Sequence, residues 1–551
     1  MKKFLTFFTI VLFLTNCKKS DLKLDDPNSP TPVGALASVK GVEQFAMGMW
    51  YKLRDGNSGL NLLSHSIMMH SCMGDEQFTS AGNWGWRHIT QVNKITLPAP
   101  YNNVVPNVLV ITQAEQLKAL NTLAATNGNQ NNALVYEWNM AYYVNGQANF
   151  LLAAIENPTL TLSASKKATL QAWAYWWKGF AYSRIGSMYL AGVINNKTDG
   201  TTESTYVTRD AIIVEANANF DKAAALLAPL TAGDAEYKAT LNAVIPIFNK
   251  PSATFEITPQ MWIRGINTAK ARNLLVNKKV TALAAADLTQ IKTLASAGLV
   301  QGDITFLFGI SAVAAEGIVA NNQMHPYLWN NNTNNAGWNI KPSERLVQDF
   351  KAGDQRRVKG ISTLAVPVVD NQSRGIHYGT RYDFTPIQSG GFWTSLGRTG
   401  VGSPFTMSFA GSWEENALML AEVEIRNGQI EAGLAYVDAV RTAQAAGLGA
   451  TVGTGLNQTQ ALEELRSERR IGLLLKGLAF YDARRWGITE AGKGRQNAIV
   501  LVPNSIIGLT PTGGATPLPC FVDYNYLDYW DVPVSEFSYN PPASGGPAIA
   551  N

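Results

Sequence analysis

Apolar positions along the chain fall mainly at helical spacing. In residues 168–190, Trp173, Trp176, Trp177 and Phe180 stand at i, i+3, i+4 and i+7, which makes one broad stripe. Residues 209–230 place Ile213, Ala216, Phe220, Ala223 and Leu227 on one face. Thr258-Pro259 supplies a cap and a first-turn proline for a helix over 259–276. Further on, 414–426 and 429–446 read as two helices split by Asn427-Gly428, with a third over 461–475. Short turns between helices predict hairpins stacked in series, each burying its neighbour's apolar face in one continuous core. Tyr175, Gly179, Tyr182 and Ala191 echo the spacing of the tetratricopeptide repeat, although Lys178 occupies its leucine position. Trp173, Trp176 and Trp177 are accordingly expected in the core.

The pattern breaks in 302–323, 330–338 and 365–412, which are rich in Gly, Asn, Ser and aromatic residues and carry few helical stripes. Residues 496–551 hold short β-like runs such as 498–502 before a Pro/Gly-rich end. Long irregular segments in a compact protein are usually functional or disordered, and the aromatic content argues against disorder. The expected fold is mostly α: a tetratricopeptide-like helical-hairpin array with an irregular, loop-rich second lobe and short β segments.

At the N-terminus, Lys2 and Lys3 precede the apolar run 4–14, far short of the ~20 residues a membrane-crossing helix needs. It reads as the core of a signal peptide. Leu14-Thr15-Asn16-Cys17 resembles a bacterial lipobox, in which Cys17 would be lipidated and become the first mature residue. The polar stretch 18–32 reads as a flexible tether. The predicted organisation is a signal peptide over 1–16, a lipidated cysteine and tether over 17–40, and a single body over 41–551. Within that body the helical array spans 41–300 and 412–487, and the loop-rich lobe spans 301–411 and 488–551.

Composition supports an exported protein. Charged residues are 16% of the chain against a usual ~25%, and 44 asparagines help to supply neutral polarity instead. The formal charge is +4, or +2 once Lys2 and Lys3 are removed, and no basic stripe suggests a nucleic-acid partner. Beyond Cys17 only Cys72 and Cys520 remain, so there is no disulfide framework; either they pair after export or both are small buried residues.

Catalytic templates find little. His65 and His70 are five apart, not the four that puts two ligands on one helical face, and no HExxH, P-loop, GxSxG or strand-GxGxxG-helix unit is present. No metal or other cofactor is expected. Adjacent carboxylates occur at Asp75-Glu76, Glu414-Glu415 and Glu463-Glu464. The last two pairs are expected to face solvent from helices. Sequence spacing alone leaves open a glycosidase with two carboxylates across a sugar.

Four segments resemble the SusD/RagB family of surface lipoproteins used in nutrient uptake. Residues 341–359 (KPSERLVQDFKAGDQRRVK) are similar to the family's strand end and D-x-R turn. Residues 418–447 (LMLAEVEIRNGQIEAGLAYVDAVRTAQAAG) are similar to its AE-A-x-x-R-x-G helix pair. Residues 468–487 (ERRIGLLLKGLAFYDARRWG) resemble its ERR and DLRRWG block, and 530–540 (WDVPVSEFSYN) its closing P-x-x-E-x-x-x-N segment. Gly472, Leu473, Lys476, Leu478 and Ala483 depart from the usual residues of the third block, which marks a divergent branch. The charges of that block, Glu468, Arg469, Arg470, Asp482, Arg484 and Arg485, read as an ion-pair network locking the last helix onto the core, because buried unpaired charges cost several kcal/mol.

The resemblance implies a SusD-like, non-catalytic protein, lipid-anchored to the outer membrane and facing the cell exterior. It would bind a nutrient, in first place an oligosaccharide, on loops at one face of the helical stack. A SusC-like TonB-dependent transporter would be its partner. The alternatives are a peptide-binding member of the family and a surface glycosidase. Two loops fit the ligand role. Residues 75–88 (DEQFTSAGNWGWRH) offer Asp75, Asn83, Trp84, Trp86 and Arg87, and in extended backbone Trp84 and Trp86 point the same way. Residues 325–338 (HPYLWNNNTNNAGW) offer Tyr327, Trp329, Asn330 and Trp338. A flat aromatic matches the C–H face of a sugar ring, and Asn, Arg or Asp its hydroxyl rim.

Overall fold

A computed structural model describes residues 32–52, 62–79, 89–90, 92–106, 115, 133–199, 201–309, 340–369, 378–385, 398–400, 403–408 and 410–551. The first half is helical: α1 Val39–Lys52, α2 Leu62–Met73, α3 Ala133–Ile155, α4 Ala164–Met188, α5 Arg209–Leu227, α6 Ala235–Val244, α7 Pro259–Val276 and α8 Ala285–Ser296. Two short helices follow, α9 Glu344–Asp349 and α10 Gln355–Gly360. The C-terminal helices are α11 Trp413–Arg426, α12 Ile430–Ala443, α13 Gln458–Gly472 and α14 Ala479–Arg485. Hairpin partners pack on one another: α3 on α4, α4 on α5, α7 on α8, and α11 on α12. A mostly helical architecture built of packed helix hairpins is thus observed among the described residues.

Helix starts follow their caps. Thr258 Oγ1 accepts from Met261 N at 3.1 Å and Pro259 opens α7, so that helix has the bounds its sequence predicts. Thr208, Asp234, Ser343, Ser412 and Asn457 cap α5, α6, α9, α11 and α13 in the same way. The periodicity of α3 is harder to read, since α1, α2 and α4 all pack against it and apolar residues are needed on several sides.

The strands are short, and every pair between them is antiparallel: β1 Gln77–Thr79, β2 Lys94–Thr96, β3 Val104–Pro106, β4 Ala191–Val193, β5 Tyr206–Thr208, β6 Leu307–Gly309 and β7 Ile340–Pro342. They continue with β8 Ile361–Val368, β9 Thr380–Phe384, β10 Arg398–Gly400, β11 Ser403–Ser408, β12 Arg495–Pro503 and β13 Ala515–Asp523. One four-stranded sheet runs β12-β13-β2-β3, joining the C-terminal hairpin to the segment after the first helices.

Two kinds of packing hold the body together. In the helical half, Trp50, Trp173, Trp176, Trp177, Trp262 and Phe306 form one aromatic knot, with Trp50 and Trp177 edge-on at 5.4 Å and Trp176 and Phe306 at 4.2 Å. The three tryptophans of the α4 stripe are at most 3% exposed. In the C-terminal part, α13 and α14 are fixed by charge. Cys72 and Cys520 are buried and free.

Candidate functional site

The two loops singled out from sequence have paired stems. β1 and β7 form a short ladder in which Gln77 faces Pro342, Phe78 faces Lys341 and Thr79 faces Ile340. Thr79 is the last described residue before 80–88, and Ile340 the first after 310–339. The ladder is anchored from below. Thr380 Oγ1 on β9 donates to Pro342 O at 2.8 Å, Lys341 Nζ meets Asp383 Oδ2 at 2.6 Å, and Phe78 lies 5.7 Å from the Tyr378 ring. Asn83, Trp84, Trp86, Arg87, Tyr327, Trp329, Asn330 and Trp338 lie outside the described residues, as does Cys17.

Asp75 requires a correction. Expected on the ligand-facing loop, it is instead 5% exposed beneath the ladder. Arg345 on α9 grips its carboxylate with Nε at 2.9 Å and Nη2 at 2.7 Å, and the Tyr524 hydroxyl donates to Oδ2 at 2.5 Å. Burial opposes its charge, yet Arg345 holds the carboxyl below its ordinary range. Its backbone is used as well: Ser343 Oγ donates to Asp75 O at 2.6 Å, and Arg470 Nη2 donates to the same oxygen at 2.5 Å. Asp75 adopts φ 58°, and the preceding Gly74 is required because a Cβ there would stand 2.3 Å from that of Ala479. Asp75 therefore positions the stem of 80–88. Both of its carboxylate oxygens are spent on protein donors.

The helical carboxylate pairs are corrected in part. Glu415, expected in solvent, is 2% exposed and bound by Arg272 through Nε and Nη2, each at 2.5 Å. Glu414 Oε2 pairs with Lys476 Nζ at 3.0 Å, so the lysine that departs from the family pattern has a carboxylate partner of its own. Glu464 bridges Lys351 and Arg441. Glu463 alone faces solvent, pairing with Arg466 one turn on. His70 is fully buried against Glu137 at 3.0 Å, and burial lowers its pKa.

The charged block reads as the sequence predicts. Glu468 receives Arg356 at 2.5 and 3.0 Å and Arg441 at 2.8 Å, while Arg356 also binds Asp354 at 2.8 Å. Arg485 forks onto Glu422 at 2.8 and 2.7 Å, and its Nε joins Arg469 on Asp482. Burial works against the charge of Glu422, but Arg485 holds its pKa down to about 2. Arg470 and Arg495 share Asp349. Arg484 has a different use: it donates to Ser187 O and Asp528 O at 2.7 and 2.8 Å and to Val276 O at 2.8 Å, closing the last turns of α4 and α7. Its carbonyl partners have no side-chain signature, so sequence offers no sign of them.

Residues 415–512 match the sequence model of the SusD family. A SusD-like protein from Bacteroides fragilis has the same fold with a TM-score of 0.56 at 13% identity, over 92% of this chain and 96% of that one. A SusD superfamily protein from Parabacteroides distasonis gives 0.54 at 12% identity, covering 92% and 97%. A SusD-like carbohydrate binding protein from Bacteroides vulgatus gives 0.53 at 13% identity, covering 92% and 98%. No curated protein matches the chain in sequence. The fold is that of the SusD-like proteins. The family's sequence pattern lies on the charged C-terminal block.

Proposed function

We propose that this chain is a surface lipoprotein that binds an oligosaccharide through the aromatic and polar residues of 80–88 and 325–338 and delivers it to a SusC-like TonB-dependent outer-membrane transporter. The observation that carries the reading is the pairing of Thr79 with Ile340, which brings the residue before 80–88 and the residue after 310–339 to one end of one ladder. Trp84, Trp86, Trp329 and Trp338 supply flat apolar faces, Tyr327 a further aromatic, and Asn83, Arg87 and Asn330 hydrogen-bonding groups for sugar hydroxyls. The carbohydrate-binding description of the Bacteroides vulgatus relative supports the ligand class. The reading includes no chemistry: of the adjacent carboxylates, Asp75, Glu414 and Glu415 are engaged by Arg345, Lys476 and Arg272, and Glu76 is buried.

Attachment is through lipid on Cys17, with 18–32 as tether and 41–551 as one body facing the cell exterior. Among the described residues no helix is long and apolar enough to cross a membrane. Several acyl chains on one cysteine would hold the protein firmly, whereas one chain binds marginally. Affinity electrophoresis through polysaccharide gels tests the site. Retardation by a glycan should fall at least tenfold in affinity for Trp84→Ala, Trp86→Ala or Trp329→Ala; retardation unchanged in all three overturns the placement.

A further inference from the structure

Beneath the ladder, between the end of α2 and the α13–α14 corner, lies a cavity of ≈ 50 Å³ lined by Glu76, Arg469, Arg470, Trp486, Arg495 and Tyr524 over an apolar floor of Met73, Leu473 and Leu478. Most of its polar groups are committed. Arg470 and Arg495 are held by Asp349, and Tyr524 by Asp75. Three atoms are not: Arg469 Nη1, Trp486 Nε1 and Glu76 Oε2 are buried without hydrogen-bond partners. Arg469 and Glu76 are each 2% exposed.

Guanidinium and indole nitrogens can only donate. Burial pushes the Glu76 carboxyl up to about 8, against the pull of Arg470, so at neutral pH it keeps its proton and adds a third donor. The carboxylates in the lining are already engaged, Asp75 by Arg345 and Tyr524 and Asp482 by Arg469 and Arg485, so a water accepting from these donors would have to share one of them for its own hydrogens. An anion has no hydrogens to place. The size restricts the choice, since a water occupies about 10–15 Å³ of such space and the cavity holds only a few heavy atoms, too few for a sugar ring.

We propose that this cavity binds a small monovalent anion of the carboxylate or halide class, held by Arg469 Nη1 and Trp486 Nε1. The anion sits apart from the loops that carry the proposed glycan site. It ties α13 to the residue that follows α14.

Thermal unfolding of the full chain at pH 7 tests this, comparing sodium formate with sodium gluconate at equal ionic strength, since gluconate is too large to enter. The midpoint should rise with formate concentration and not with gluconate. Trp486→Phe removes one donor with little change of shape and should weaken the formate effect about tenfold. Equal midpoints in the two salts, or an undiminished formate effect in the variant, overturn the proposal. Should the variant not fold, crystals of the unaltered protein grown in bromide decide: an anomalous peak within reach of both nitrogens supports the site, and water alone there overturns it.

Discussion

The aromatic knot around α4 and the charged block around α13 do the same mechanical task by different physics. In the knot, Trp173, Trp177 and Trp262 fill volume, and any apolar group of suitable shape satisfies most of what the site asks. In the block, Glu468 is tied to Arg356 and Arg441, and Glu422 to Arg485, so each side chain is required by a named partner. Loss of one partner leaves an uncompensated buried charge. The family's sequence model matches 415–512, where much of the charged block lies, while the fold is shared over 92% of the chain. Directional polar contacts ask for particular residue types at particular places, whereas apolar packing accepts many side chains of suitable volume.

The comparison breaks or sharpens at four places. Glu468→Gln keeps the shape and removes the charge, and should cost about 3–5 kcal/mol in denaturant unfolding, because two buried arginines each lose one of their two carboxylate partners. A cost no larger than that of a core swap would remove the distinction between the two regions. Next comes pH. Glu76 has a folded pKa of about 8 against an ordinary 4.5, so its contribution is full below pH 4.5 and is lost as pH rises through 8. Glu422 runs the other way: held down to about 2, it contributes above pH 4.5 and is lost as pH falls toward 2. Unfolding followed from pH 5 to 9 should show a decline of a few kcal/mol, roughly, that Glu76→Gln flattens.

Leu170→Met, in the core cluster of the knot, should cost less than about 1.5 kcal/mol by the same unfolding measurement. Arg466→Ala, which breaks the outlying pair with Glu463, should cost at most about 1 kcal/mol, since exposed pairs of this kind contribute little. An Arg466 effect rivalling that of Glu468 would mean that charge count, not burial, sets the strength of the block.

Much of the helical architecture is legible because it depends on local rules. The α4 stripe and the Thr258-Pro259 start of α7 need only neighbours within a few residues. The charged block is legible because its density stands out in a charge-poor chain. What escapes a sequence reading is the identity of distant partners. Glu415 looks solvent-facing until Arg272, 143 residues away, closes on it. Asp75 looks like a loop acid until Arg345, 270 residues away, takes both oxygens. The shared stem of the two candidate loops rests likewise on a pairing between Thr79 and Ile340 that no local pattern specifies.

Titration calorimetry of the full chain against neutral oligosaccharides, with extended peptides as a parallel series, tests the central claim most directly. The account predicts saturable binding of at least one glycan, with no sugar released over prolonged incubation, and loss of that binding when Trp84 and Trp86 are both replaced by alanine. Binding of peptides but of no glycan, or release of sugar from a bound polysaccharide, would contradict it.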